Sequence, residues 1–165
     1  MFVPTDQRLF IPPTHTPFYQ LYSHSQYFSV VGLCSAFFSI PVDPDSWYLF
    51  TFTWKEGQYM WTVMPQGYTQ SPTYFSQILK ADLEDLIFPQ GSTIIQYMDD
   101  LLISGKDIKE VSDFSTHILN HLQCEGLWVS KGKLQYVEPE VKYLGHLISA
   151  GKWRIGLERV EGIVS

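Results

Sequence analysis

Two short apolar runs, Ser92 to Gln96 (STIIQ) and Leu101 to Ser104 (LLIS), are separated by only Tyr97-Met98-Asp99-Asp100. So short a spacer admits a strand, a tight turn and a second strand, and little else. Neighbouring side chains of a strand point to opposite faces, so two adjacent carboxylates reach one cleft only at such a turn. Hard divalent cations take oxygen ligands, and Mg²⁺ is typically held by one or two carboxylates together with substrate phosphates. Phosphoryl transfer by two metals ~3.5–4 Å apart needs ligands of this kind at the attacking and leaving oxygens. Taken alone, the dipeptide is better explained as a solvated acidic hairpin tip.

The rest of the chain supplies a frame for that turn. Residues 1–27 hold four of the ten prolines, Pro4, Pro12, Pro13 and Pro17, and read as an extended lead-in along a surface. Phe28 to Phe38 (FSVVGLCSAFF) is a buried strand candidate that bends near Ser35. Trp47 to Trp54 and Gln58 to Val63 are aromatic and β-branched around Lys55-Glu56-Gly57, the pattern of a hairpin. Phe75, Ile78, Leu79, Leu83 and Leu86 recur at helical spacing behind Pro72, predicting a helix from Ser71 to about Ile87. A second amphipathic helix is predicted over Lys106 to Glu125, ended by Gly126. Leu134 to Val137 and Val141 to Ile148 read as a last pair of strands, and Ser149 onward as a turn leading into a helix. The expected architecture is α+β, an antiparallel sheet with helices on one face.

Composition narrows the function classes. At 165 residues, with 45% hydrophobic and 16% aromatic content, the chain can bury one core, and disorder is excluded. Eleven Lys plus Arg against 17 Asp plus Glu leave a net charge of −6. Phosphate neutralisation supplies most of the affinity of a free-standing nucleic-acid binder, so this balance argues against strong binding by the chain alone. Cys34 and Cys124 lack metal-ligand spacing and read as two free, buried thiols. No run of 18 apolar residues and no basic-then-apolar leader occurs, so the expectation is an intracellular, cytoplasmic or nuclear protein with no membrane partner.

Four blocks together carry a family likeness. Tyr97-Met98-Asp99-Asp100 between its two apolar runs resembles the central motif of retroviral reverse transcriptases. Met64-Pro65-Gln66-Gly67-Tyr68 with Ser71-Pro72-Thr73-Tyr74-Phe75 is similar to that family's proline-glutamine-glycine turn and template-facing helix. Val141-Lys142-Tyr143-Leu144-Gly145-His146 resembles its primer grip, and Phe28 to Phe38 the strand that opens its palm. The blocks stand in the family's order over roughly Ile11 to Ser165, and the wording is closest to gammaretrovirus-like endogenous elements.

The resemblance implies a palm-like domain over 28–148, a truncated thumb-like start over 149–165, and fingers and thumb mostly missing. It implies an RNA-directed DNA polymerase that uses Mg²⁺, an RNA or DNA template-primer and deoxynucleoside triphosphates. Asp99 and Asp100 would be the catalytic metal ligands, with Tyr97 and Met98 beside them. Gln66 and Gly67 would lie near the incoming nucleotide and template, and Phe37 where an aromatic rejects the ribose 2′-hydroxyl. Lys131 or Lys133 would lie near the departing pyrophosphate, and Tyr143 to His146 would hold the primer end. Each has a plainer alternative: Phe37 as a core aromatic, Gly67 as a turn residue, the lysines as solvated surface charges.

The sequence also departs from the pattern. The family's opening strand carries a metal-binding aspartate four residues before the Ala36-Phe37-Phe38 segment, and here that position is Gly32. The family's acidic residue just before the alanine is Ser35, and the basic residue between is Cys34. Asp43 and Asp45 fall beyond the strand, in a proline-flanked turn, and are poor substitutes. Losing a ligand that bridges both metals removes on the order of several kcal/mol of transition-state stabilisation, at about 1.4 kcal/mol per tenfold in rate. The expectation is a protein inactive in isolation, either a degenerate polymerase module or a folded relic that at most binds a partner or nucleic acid.

Overall fold

The computed structural model describes residues 24–87 and 91–156. Its centre is β1 (Tyr27–Cys34), whose residues Phe28 to Leu33 are all buried. An apolar strand without polar alternation has to be covered on both faces, and it is. The strands β2 (Thr51–Trp54) and β3 (Gly57–Met60) form a separate hairpin, followed by helix α1 (Ser71–Glu84). Next come β4 (Thr93–Tyr97), β5 (Asp100–Gly105) and helix α2 (Ile108–Cys124). The chain continues through β6 (Trp128–Val129), β7 (Gln135–Glu138), β8 (Glu140–Tyr143), β9 (His146–Ser149) and β10 (Lys152–Ile155).

The main sheet runs β4-β5-β1, all antiparallel, with β6 and β7 sharing the far edge of β1. On one face Val31 and Leu33 of β1 and Leu101 and Ile103 of β5 meet Phe75, Leu79 and Leu83 of α1 and Val111, Phe114, Ile118 and Leu122 of α2. On the other face Phe28, Val30 and Leu102 pack against Val141, Tyr143 and Ile148 of the β8-β9 hairpin. Both helices therefore lie on one face, as expected of the α+β class.

Local chemistry explains the helix limits. Asp107 caps α2 by accepting from the Glu110 N–H at 2.8 Å. Its other end closes with Gly126 at φ 73°. There the Gly126 N–H donates to the Gln123 carbonyl at 3.0 Å and the Leu127 N–H to the Leu122 carbonyl at 2.8 Å. That is a Schellman stop, which favours glycine because the left-handed conformation crowds a Cβ.

Several sequence expectations need correction. The strand opening at Phe28 ends at Cys34, because Ser35 turns left-handed (φ 52°) and Ala36–Ser39 coil into a 3₁₀ turn. Trp47 to Phe50 belong to a 3₁₀ segment, Pro44–Phe50, capped by Asp43, so only Thr51–Trp54 of that run is strand. Val141 to Ile148 is a hairpin in itself, with positive φ at Leu144 and Gly145, and Gln135–Glu138 pairs with β1 instead. After Ser149 the chain forms strand β10, not a helix, through residue 155. Cys34 and Cys124 are free but exposed, not buried. Most of the proline-rich lead-in (residues 1–23) and the last nine residues, 157–165, lie outside the described residues.

Candidate active site

The β4-β5 hairpin closes with Tyr97 opposite Asp100, leaving Met98 and Asp99 as its two turn residues. Met98 takes a left-handed φ of 51°, a conformation that costs a non-glycine residue energy and places the two carboxylates at the tip. Antiparallel pairing then sets Asp100 opposite Gly32, the sixth rung of the β1-β5 ladder. The Leu33 N–H donates to the Asp99 carbonyl at 2.8 Å, so the turn is clamped to the strand beside it. Opposed residues of an antiparallel pair share a face. The Asp100 carboxylate and the bare Cα of Gly32 therefore look into the same space.

That space is filled by Lys133. Its ammonium lies 3.6 Å from Asp100 Oδ1 and 3.8 Å from Asp99 Oδ2. The loop carrying it is tied back to β1, since the Ser130 N–H donates to the Gly32 carbonyl at 2.8 Å and the Lys133 N–H to the Ser130 carbonyl at 3.1 Å. Burial raises the Asp100 carboxyl above its ordinary range, the Lys133 charge opposes that, and Asp99 adds to it. The Tyr143 hydroxyl donates to the Asp100 backbone carbonyl at 3.3 Å. Burial, then the charge of Asp100, hold that phenol well above the usual tyrosine range.

The other sequence-predicted residues sit around this centre. Phe37 packs its ring edge-on against Phe75 of α1, centroids 5.9 Å apart, so part of its surface belongs to the core. Gln66 and Gly67 are exposed in the turn before α1, where Gly67 adopts φ 91° and an added Cβ would meet nothing within 4 Å. Conformation, not space, calls for glycine there. Lys131 is exposed. Asp43 caps the Pro44–Phe50 turn, its Oδ1 accepting from the Asp45 backbone N–H at 2.9 Å.

Sequence reasoning missed three contacts. It named Lys133 without placing it against Gly32, since nothing in the spacing says which loop folds over which strand. It missed the Tyr143 hydroxyl on Asp100. It also missed Gln96, whose side-chain amide donates to the Ser76 carbonyl at 3.0 Å and ties β4 to α1.

As a donor set for a pair of divalent cations these residues fit badly. Two carboxylates are present, the rung opposite is glycine, and a monovalent cation already lies between them and the strand. Among the described residues no group of three or more His, Cys, Asp or Glu side chains is placed to hold a metal ion.

Comparison with known proteins gives the fold its class. Residues 1–148 match the family described as reverse transcriptase (RNA-dependent DNA polymerase). The chain belongs to the reverse transcriptase family. A segment of the Gag-Pol polyprotein of walleye dermal sarcoma virus is 48% identical over 123 residues, covering 74% of this chain and 7% of the viral protein. The Gag-Pol polyprotein of baboon endogenous virus (strain M7) is 36% identical over 144 residues, 83% of this chain and 8% of that protein. The chain thus spans under a tenth of the length of these relatives. Among solved structures, a foamy viral protease-reverse transcriptase bound to double-stranded DNA superposes with a TM-score of 0.79 at 26% identity, over 91% of this chain and 26% of the other. The foamy viral enzyme in complex with an RNA/DNA hybrid gives 0.76 at 26% identity, over 88% and 19%. Family membership implies a reaction that uses divalent metal. No described helix is long and apolar enough to cross a membrane.

Proposed function

We propose that this chain is the palm of a reverse transcriptase of retroviral origin that does not carry out nucleotidyl transfer by itself. The observation that carries the reading is the rung Gly32-Asp100: the strand position facing the carboxylate pair has no side chain that could bind metal. In the family the reaction adds a deoxynucleotide to a primer 3′ end on an RNA or DNA template. Here Asp99 and Asp100 hold the positions of two acidic ligands, and the third is lost. The remaining surface keeps its family roles. Gln66 and Gly67 face nucleotide and template, Phe37 borders the sugar, and Tyr97 and Met98 flank the carboxylates. Lys131 stays on the pyrophosphate side, and Tyr143 to His146 take the primer end. Residues 28–148 form the palm, preceded by the proline-rich lead-in of residues 1–27 and followed over 149–165 by the start of a thumb-like segment.

The test is primer extension on an RNA template with Mg²⁺ or Mn²⁺. The chain alone is expected to add no nucleotide. Gly32→Asp, introduced into a protein in which fingers and thumb segments are supplied, is expected to gain measurable extension over its glycine parent. Template-dependent extension by the unmodified chain would overturn the proposal.

A further inference from the structure

Gly32 lies in ordinary strand, and its φ is not among the left-handed ones, so its backbone does not require glycine. What a side chain there would meet is specific. An added Cβ would come within 2.5 Å of Lys133 Cδ, and within 3.0 Å of both Lys133 Cβ and Asp100 Oδ1. The lysine stem therefore crosses the volume that any other residue at position 32 would claim, on the path by which its ammonium reaches both carboxylates.

Resting on the reading of Asp99 and Asp100 given above, we infer that Lys133 is a resident cation of this site, admitted by Gly32, which a divalent cation must displace before it can bind. The glycine and the lysine then act as a pair. One removes a ligand, and the other fills the gap with fixed positive charge. The loop ties, Ser130 N–H to Gly32 carbonyl and Lys133 N–H to Ser130 carbonyl, set the lysine backbone where its stem can lie flat over the strand. Charge balance supports the arrangement, because two neighbouring carboxylates repel each other unless a cation stands between them. The Lys133 side chain is about half exposed, at 54%, so it is held by geometry and attraction and can be swung out.

Mn²⁺ binding to the full chain, followed by the electron paramagnetic resonance signal of the free ion, reads this without any activity. Lys133→Met keeps the stem and removes the charge; it is expected to bind Mn²⁺ at least tenfold more tightly than the parent. Gly32→Ala keeps the lysine and denies it the space; a gain in the same direction is expected, from an independent substitution. Lys133→Arg, which keeps a cation at this position, should bind as weakly as the parent. Adding Asp99→Asn and Asp100→Asn to Lys133→Met should abolish the gain. Equal Mn²⁺ affinity in parent, Lys133→Met and Gly32→Ala would overturn the inference, as would a gain that survives loss of both carboxylates. The two readings fail separately. Extension by the parent chain removes the proposed inactivity while a Lys133→Met gain still stands, and absence of both extension and gain removes only the lysine.

Discussion

Ser29 is a polar residue at 0% exposure in the middle of an apolar strand, and its oxygen is a shared acceptor. Its hydroxyl oxygen accepts from the Ser115 hydroxyl of α2 and from the Val137 N–H of β7, each at 2.9 Å. Val137 is the bulge residue, left-handed at φ 52°, so its amide has turned from the ladder to the side chain. Ser29→Ala strands both donors, and a loss of about 1–3 kcal/mol is expected in urea unfolding, the cost of a buried unpaired polar group. Tyr143 gives a pH signature. Its folded pKa is raised, so the folded state binds more protons than the unfolded one above the ordinary phenol pKa, ~10. Its contribution is complete below that value and is lost as pH rises through the raised one. Melting temperatures of Tyr143→Phe and parent, measured from pH 8 upward, should diverge, with the phenylalanine variant declining less steeply.

At the scale of elements, the sheet and the two helices form a unit to which the β2-β3 hairpin only partly belongs. Ile118 of α2 is at 0% exposure in the helix-face core, and Ile118→Ala is expected to cost about 2–5 kcal/mol through the cavity it leaves. Ile108, in the first turn of the same helix, is 56% exposed, and its alanine variant should stay within about 0.5 kcal/mol of the parent. The hairpin presents a different balance. Thr51–Trp54 are exposed throughout, and Phe52 leans on Tyr59 and Trp61 with ring centroids 5.7 and 5.5 Å apart. Few buried contacts hold its amides, so native-state hydrogen exchange should open β2 and β3 well before β1 and β5. Uniform protection across all four strands would refute that ranking.

For the whole molecule, the net charge of −6 and the family fold pull in opposite directions. Foamy viral protease-reverse transcriptases that share this fold are solved in complexes with nucleic acid, while this chain has few cations to neutralise phosphates. Its affinity for an RNA/DNA duplex is expected to be weak at physiological salt and to rise only with a shallow slope as salt is lowered, because few cations are available to displace counterions. Tight binding with little salt dependence would mean that contacts other than phosphate neutralisation dominate.

How much of this was legible in the chain follows physical lines. Periodicity disclosed α1 and α2 to within a few residues, because apolar spacing at Phe75, Leu79 and Leu83 or at Val111, Phe114, Ile118 and Leu122 is a local property. The Tyr97–Asp100 turn was equally local, since four residues between two apolar runs leave the backbone few choices. Aromatic runs misled. Trp47 to Phe50 has strand composition, yet Asp43 and Pro44 start a 3₁₀ turn there, and capping outweighs propensity over so short a span. The sequence by itself determined the class of fold, the carboxylate pair and the glycine at position 32. Only the tertiary structure decided that Gly32 faces Asp100, that β8 and β9 roof one side of the sheet, and that Lys133 lies over Gly32. Those are contacts between residues far apart along the chain, fixed by register and packing of the whole sheet, and no local pattern encodes them.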